Sequence, residues 1–303
     1  MMKGEIAGFT GAVLAAVTFG LNPLFALKLY AGGLSTPTVL FYRFGFGSLM
    51  VALLMLVKKK SFRIPRKYLL YIILLGLCLA GTSLGLFLSF RFMDAGIAST
   101  ILFTYPVIVT VIMAVFFREH ISPWMIASIV LSLSGVLVMC KTPSGAYLDI
   151  RGILLAVLSA FAYAVYMVIA RQSGLNRMQS ETITFYAMIF SLPYFVVMPD
   201  FSYFLPVSNH IIMLNMIGLA LFPAFLSFYF LAIGLRYIGA TRTAVLGALE
   251  PLTAVCISIF VFGEAFTWRL MLGIIFVFSG VLLVIFADKL QEFSRRLHKS
   301  ELH

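Results

Sequence analysis

Residues 101–119 read ILFTYPVIVTVIMAVFFRE, an apolar run with a proline in its first third and a glutamate at its end. Residues 246–264 read LGALEPLTAVCISIFVFGE and have the same form. The two runs align without a gap, so that Pro106 matches Pro251, 145 residues further along the chain. Other pairs at this spacing are Arg91 and Arg236, Glu119 and Glu264, Ser134 and Ser279, and Gly135 and Gly280. A repeated register of this length predicts two related halves.

The composition is typical of a protein that lies in a membrane. Hydrophobic residues make up 62% of the 303 residues and charged residues 11%, whereas a soluble domain carries about 25% charged residues. A helix that crosses the hydrocarbon core needs roughly 20 apolar residues, and its backbone groups are then bonded internally. The sequence therefore predicts an all-α integral membrane protein with ten transmembrane helices. They are placed at residues 6–29, 36–57, 68–92, 97–117, 123–140, 152–171, 181–199, 210–235, 240–263 and 269–287.

Basic residues set the predicted orientation. When the N-terminus is placed inside, most of the 22 lysines and arginines fall in cytoplasmic loops, as the positive-inside rule requires. Both termini are then cytoplasmic, and the expected location is the cell inner membrane, as a multi-pass protein. The net charge of +11 is spread over these loops, so no nucleic-acid partner is predicted.

Each half contains five predicted spans, and this odd number has a topological consequence. The second copy must enter the membrane upside down relative to the first, which predicts an inverted repeat. The first five-helix repeat covers residues 1–145, the second covers residues 146–288, and residues 289–303 form a charged cytoplasmic tail. The earlier helices match at slightly different spacings, as Phe41-Tyr42 and Phe185-Tyr186 do.

Several short motifs stand at the centre and ends of these spans. They are Tyr42-Arg43-Phe44, Tyr105-Pro106, Phe117-Arg118-Glu119, Leu249-Glu250-Pro251 and Phe262-Gly263-Glu264. Together they resemble the drug/metabolite transporter superfamily, specifically its EamA-type ten-span members, over nearly the whole chain. The resemblance implies export or exchange of small solutes such as amino acids, nucleobases, sugars or their phosphates. It also implies a central cavity lined by spans one to four and six to nine. The first span departs from the family in having Phe19-Gly20 where Trp-Gly is often seen.

Two ionisable residues lie inside predicted spans. Glu250 is about 15 Å from either surface at 1.5 Å per residue, and an ionisable group at this depth is a functional hypothesis by default. It is predicted to couple protons or to pair with a substrate ammonium or Arg43; the alternative is a protonated packing residue beside Pro251. Arg43, about 10 Å deep in span two, is predicted to bind a carboxylate or phosphate, or else to extend its guanidinium to the lipid headgroups.

Further polar side chains occur at membrane depth and are predicted to line the same cavity. They are Asn22, Tyr105, Tyr163, Tyr166, Ser227 and Tyr229. The alternative for the tyrosines is a structural role, because buried tyrosines commonly donate a hydrogen bond to a neighbouring carbonyl group. Pro106 and Pro251 each remove a hydrogen bond in mid-span, which predicts either a hinge or a static kink.

Glu119 and Glu264 are predicted to be structural residues of tight turns. Each stands a few residues before a serine or threonine that begins the next helix, and a carboxylate is favourable near such an N-terminus. No substrate contact is expected of either side chain.

The sequence argues against catalysis and against a metal centre. All 4 histidines fall in loops or in the tail, and neither an HExxH motif nor paired intramembrane aspartates occur, so no nucleophile or metal-ligand cluster stands at membrane depth. The 3 cysteines have no spacing typical of a disulfide or metal framework. No enzyme activity, metal or cofactor is predicted.

The predicted function is a secondary transporter, an exporter or exchanger of small metabolites such as amino acids, that works by alternating access around a central cavity. A channel or facilitator for small solutes and a drug efflux carrier are the alternatives. The expected partners are a small-molecule substrate and the lipid bilayer. Coupling to protons or to a counter-substrate, the direction of transport, the identity of the substrate and the choice between monomer and homodimer stay open.

Overall fold

The computed structural model describes residues 2–118, 123–139, 148–175, 178–202 and 209–283, and these ranges are helical without any strand. The hydrocarbon core of a bilayer holds no water to bond an exposed backbone, and the sequence has few polar side chains to replace it. Helices, which bond their own backbone groups, are therefore the natural solution. The helices are α1 (Met2–Gly20), α2 (Asn22–Ala31), α3 (Thr36–Val57), α4 (Arg66–Ser89), α5 (Ala95–Leu102), α6 (Tyr105–Phe117), α7 (Pro123–Met139), α8 (Ile150–Gln172), α9 (Ser180–Val196), α10 (His210–Ala220), α11 (Ser227–Gly247), α12 (Leu249–Phe262) and α13 (Trp268–Leu283). A π-helical segment, Leu221–Leu226, joins α10 to α11.

Six helical stretches in the described part of the chain are long and apolar enough to cross a bilayer. They are Gly4–Ala31, Thr36–Val57, Arg66–Ser89, Ala95–Phe117, Ile150–Ala170 and His210–Gly234. Three shorter apolar helices accompany them, namely Ile126–Met139, Leu249–Phe262 and Trp268–Leu283. The architecture is therefore an all-helical membrane bundle, as the composition predicts, while the total of ten spans stays a prediction.

Helix breaks fall beside prolines, among them Pro106 and Pro251. The predicted first and fourth spans are each two helices, separated at Leu21 and at residues 103–104. The predicted loop at residues 236–239 is instead helical within α11, and the break comes at Ala248, just before Pro251. A proline lacks an amide donor and clashes with the preceding turn, which favours a helix end before it, although α9 continues through Pro193. A basic residue such as Arg236 has no such effect.

The principal helix contacts join the two halves of the sequence. The helix pairs α1·α11, α4·α8, α3·α9 and α5·α12 are in contact, and α7 lies against α13. Small residues permit the close approaches: a Cβ added to Gly85 would lie 2.8 Å from the carbonyl oxygen of Leu155. Packing of this kind stabilises helix pairs in a lipid environment, where no hydrophobic force drives helices together.

Hydrogen bonds hold α3 and α9 together at both ends. At one end Thr182 Oγ1 donates to the carbonyl oxygen of Ser61 at 2.8 Å. At the other end Thr38 Oγ1 donates to the carbonyl oxygen of Ser202 at 3.2 Å. Following the predicted orientation, we call the end with Ser61 the inner end and the end with Ser202 the outer end.

Candidate functional site

Two of the helix breaks lie directly against each other. Gly20 ends α1, and a Cβ added there would lie 2.5 Å from the carbonyl oxygen of Glu250 and 2.5 Å from the Cβ of Thr253. Only a residue without a side chain permits this approach. Gly20, which follows Phe19, therefore allows the break between α1 and α2 to pack against the first turn of α12.

Glu250 stands in that first turn, immediately after the break at Ala248. A carboxylate is favourable there because the helix dipole is positive at its N-terminus. The side chain is partly exposed, and it forms no ion pair within 4 Å with any residue of the described ranges.

Arg43 lies inside the bundle, with 3% of its surface exposed. Its guanidinium carbon is 5.2 Å from the ring centroid of Phe44 and 5.1 Å from that of Phe87, and such contacts stabilise a cation. Its Nε is buried without a hydrogen-bond partner among the described residues. The buried amide of Asn22 likewise has an Oδ1 that accepts no hydrogen bond within those ranges.

Three of the four tyrosines of the predicted cavity form one cluster between α6 and α8. The rings of Tyr105 and Tyr163 meet edge to face with centroids 4.5 Å apart. Tyr163 and Tyr166 stack at 6.0 Å. Tyr105 directly precedes Pro106 at the start of α6, so this cluster lies next to another helix break.

A cavity of about 600 Å³ occupies the inner end, between α1, α3, α9 and α11. Its polar lining consists of Lys58, Lys60, Ser180, Glu181, Thr184, Tyr229 and Tyr237. Its apolar lining includes Val51, Leu54, Phe225, Phe228, Ala232 and Ile233. Lys58 Nζ lies 4.6 Å from the ring centroid of Tyr229. The predicted Ser227 is buried at the start of α11 and is not part of this lining.

The outer end is held by a different group of side chains. Tyr30 donates a hydrogen bond from its hydroxyl to the carbonyl oxygen of Phe87 at 2.9 Å and accepts one from Thr36 Oγ1 at 3.1 Å. Arg91 lies over the Tyr30 ring at 4.7 Å and donates to the carbonyl oxygen of Leu34 at 3.3 Å. A second cavity, of about 500 Å³, is lined by Tyr30 and Arg91. The sequence analysis assigned neither residue to a site, because Tyr30 stands in no motif, Arg91 was noted only as the repeat match of Arg236, and 61 positions separate the two.

Glu264 acts as a cap, although of a different helix from the one expected. Its Oε1 accepts a hydrogen bond from the backbone amide of Ala95 at 3.1 Å, at the start of α5. The following helix is capped by Thr267, whose Oγ1 accepts from the amide of Leu270 at 3.1 Å. Glu119 and the predicted tail, residues 289–303, lie outside the described residues.

Comparison with known proteins supports a transport function. The model of the EamA-like transporter family matches residues 6–140 and again residues 150–286. An uncharacterized transporter of Archaeoglobus fulgidus is 28% identical over 277 residues, covering 89% of this chain and 95% of that protein. A second uncharacterized transporter of the same organism is 27% identical and covers 93% of this chain and 96% of that protein.

A solved crystal structure has the same fold, with a TM-score of 0.65 at 18% sequence identity. The match covers 98% of this chain and 99% of that one. The resemblance inferred from the motifs is thus confirmed, and the family and these relatives are transporters rather than enzymes. The chain belongs to the EamA-like transporter family.

Proposed function

We propose that this chain is a secondary transporter that exports or exchanges small metabolites across the cell inner membrane by alternating access. The observation that carries the proposal is that the two ends of the bundle hold separate cavities with no lining residue in common. The inner cavity has a volume of about 600 Å³ and the outer one about 500 Å³, and hydrogen bonds from Tyr30 and Thr36 tie the helices together beside the outer one. A cavity reached from one side at a time is the requirement of a carrier.

Reciprocal contacts support two inverted repeats, residues 1–145 and 146–288. A Cβ on Gly135 would lie 2.8 Å from the carbonyl oxygen of Gly273, and a Cβ on Gly280 would lie 2.8 Å from that of Ser128. Gly135 and Gly280 are separated by 145 positions, the repeat spacing, and so are Ser128 and Gly273. The two contacts therefore join corresponding residues of the two halves. Reciprocal contacts are typical of two copies related by a two-fold axis.

The two hydrogen bonds between α3 and α9 support the same arrangement. Thr182 bonds the segment after α3, through Ser61, and Thr38 bonds the segment after α9, through Ser202. These are the same interaction in each copy, at opposite ends of the bundle. In the proposed mechanism α3 and α9 stay together, and the neighbouring helix pairs move against them.

The centre of the bundle supplies polar groups for a substrate. Glu250 and Arg43 carry opposite charges without an ion pair to neutralise them in the described ranges. Buried charges are costly unless they are paired. A solute that supplies a missing partner would therefore bind more strongly than a solute that supplies none.

Solute counterflow in proteoliposomes tests the proposal. Vesicles are loaded with an unlabelled solute, and uptake of the same labelled solute is followed for a panel of amino acids, nucleobases, sugars and sugar phosphates, with and without a proton gradient. We expect one class to show saturable uptake that depends on internal solute. Flux that is linear in concentration and independent of internal solute would instead indicate a channel.

A further inference from the structure

Three cations lie at successive levels of the bundle, from one end to the other. Lys58 lines the inner cavity, Arg43 lies in the middle, and Arg91 lines the outer cavity. Lys58 follows the end of α3, and Arg43 is 15 positions earlier in the chain, which corresponds to about 22 Å at 1.5 Å per residue. Arg91 continues the series past Arg43, because the ring of Phe87 and the hydroxyl of Tyr30 connect the two levels.

Each of these cations rests on an aromatic ring rather than on an acid. The distances to the nearest ring centroids are 4.6 Å from Lys58 to Tyr229, 5.1 Å from Arg43 to Phe87 and 4.7 Å from Arg91 to Tyr30. The ion pairs of the described residues join Lys60 to Glu181 and Arg151 to Asp149, and they include none of the three. The face of an aromatic ring holds a cation in place while leaving its donors available to an anion.

Arg43 is the most informative of the three, because it is almost completely buried. With 3% of its surface exposed and its Nε unbonded within the described residues, its guanidinium is buried with incomplete hydrogen bonding, and it is in neither ion pair of those residues. A buried, unpaired charge costs far more than an exposed one. A carboxylate that enters beside it would satisfy the guanidinium with short, charge-assisted hydrogen bonds.

We infer that the transported solute is an organic monoanion with an apolar body, recognised through its carboxylate by Lys58, Arg43 and Arg91 in turn. The apolar part of the inner cavity, with Val51 and Phe225 in its lining, accommodates the body. Each level offers one cation that stands outside the ion pairs of the described residues, which matches a single negative charge on the solute. This inference rests on the proposed transport function and narrows its substrate class.

Binding in detergent tests the inference with matched probes. The melting temperature of the purified protein is titrated with monocarboxylates from butyrate to 3-phenylpropionate, and each acid is compared with its amide. We expect at least one acid to stabilise the protein at a concentration at least tenfold lower than its amide. Acids that stabilise no better than their amides would overturn the inference.

Variants of the cations make the test specific. We expect Arg43→Gln to abolish the difference between acid and amide, and Lys58→Gln to raise the half-saturating concentration of the acid several-fold. Lys67→Gln is the matched control, because Lys67 also lies over a ring, that of Tyr68 at 4.8 Å, but is not in the lining of either cavity. An acid response that is equal in Arg43→Gln and the wild type would overturn the role of this residue.

Counterflow separates this inference from the transport proposal. Saturable counterflow restricted to neutral or cationic solutes would overturn the monoanion inference and leave the transport function intact. Linear flux without counterflow would contradict the carrier mechanism itself, even if the acids bind. Counterflow of monocarboxylates, weakened by Lys58→Gln and unchanged by Lys67→Gln, is the result that we expect.

Discussion

Gly20 lies directly against the carbonyl oxygen of Glu250, at a distance that leaves no room for a side chain. We expect Gly20→Ala to push α1 away from α12 and to abolish transport, because its new methyl group would lie 2.5 Å from that oxygen. Overpacking of this kind costs about 1–3 kcal/mol. Solute counterflow and the melting temperature in detergent measure the two effects.

Gly45 provides the control for this substitution. It lies within α3, and an added Cβ there would have no atom within 4 Å. Since alanine favours a helix over glycine by about 1 kcal/mol, Gly45→Ala is expected to transport normally and to melt slightly higher. Equal behaviour of the two variants would show that the contact at Gly20 has no importance.

Glu250→Gln removes the charge of the central acid while keeping its shape. The side chain has no ion pair within the described ranges, so we expect nearly unchanged expression and melting temperature. We expect loss of substrate binding or of coupling to a proton gradient, measured as counterflow and as gradient-driven flux in proteoliposomes. Wild-type values for both fluxes would exclude Glu250 from the site.

Glu264 is expected to make stability depend on pH. Burial raises the pKa of its carboxyl above the ordinary value of 4.5, so the folded protein binds this proton more tightly than the unfolded chain. The stabilisation is therefore complete below pH 4.5 and is lost as the pH rises through the higher pKa of the folded state. Melting temperatures in detergent, recorded upwards from pH 4.5, measure this loss.

Two substitutions separate the charge of Glu264 from its hydrogen bond. Glu264→Gln keeps an acceptor oxygen for the amide of Ala95 and should flatten the pH dependence. A residual slope is expected from Asp94, because burial also raises the pKa of its carboxyl. Glu264→Ala removes both the charge and the cap and should be less stable than Glu264→Gln by about 1 kcal/mol at every pH. A pH profile of Glu264→Gln identical to that of the wild type would refute the assignment.

The contact between α3 and α9 is expected to persist through the transport cycle. Spin labels at residues 61 and 182, placed in a variant without native cysteines, should report a distance that substrate does not change. Labels at residues 181 and 237, which line the inner cavity, should approach each other when that cavity closes. Pulsed electron paramagnetic resonance measures both distances. A change at the first pair would contradict the proposed movement.

The helix breaks show which structural features a local sequence pattern can predict. Helices end and begin again close to Pro106 and Pro251, because a missing amide is a property of one residue, and a hinge at either position stays a prediction. The expected loop at residues 236–239 was wrong, since the charge of Arg236 does not interrupt a helix. Glu264 shows a similar limit for helix capping. The local sequence predicts that Glu264 lies in a turn, but it does not predict its hydrogen-bond partner, Ala95, which lies 169 residues away.

Membrane class and the matches at a spacing of 145 residues follow from composition, run length and spacing, and the family follows from the resemblance of short motifs; all of these are properties of neighbouring or regularly spaced residues. The surroundings of the charges depend on packing between distant segments. Arg43 meets Phe87, Arg91 meets Tyr30 and Lys58 meets Tyr229 because helices from different parts of the chain converge. Side-chain burial and partner choice are set by these contacts, and no local pattern encodes them.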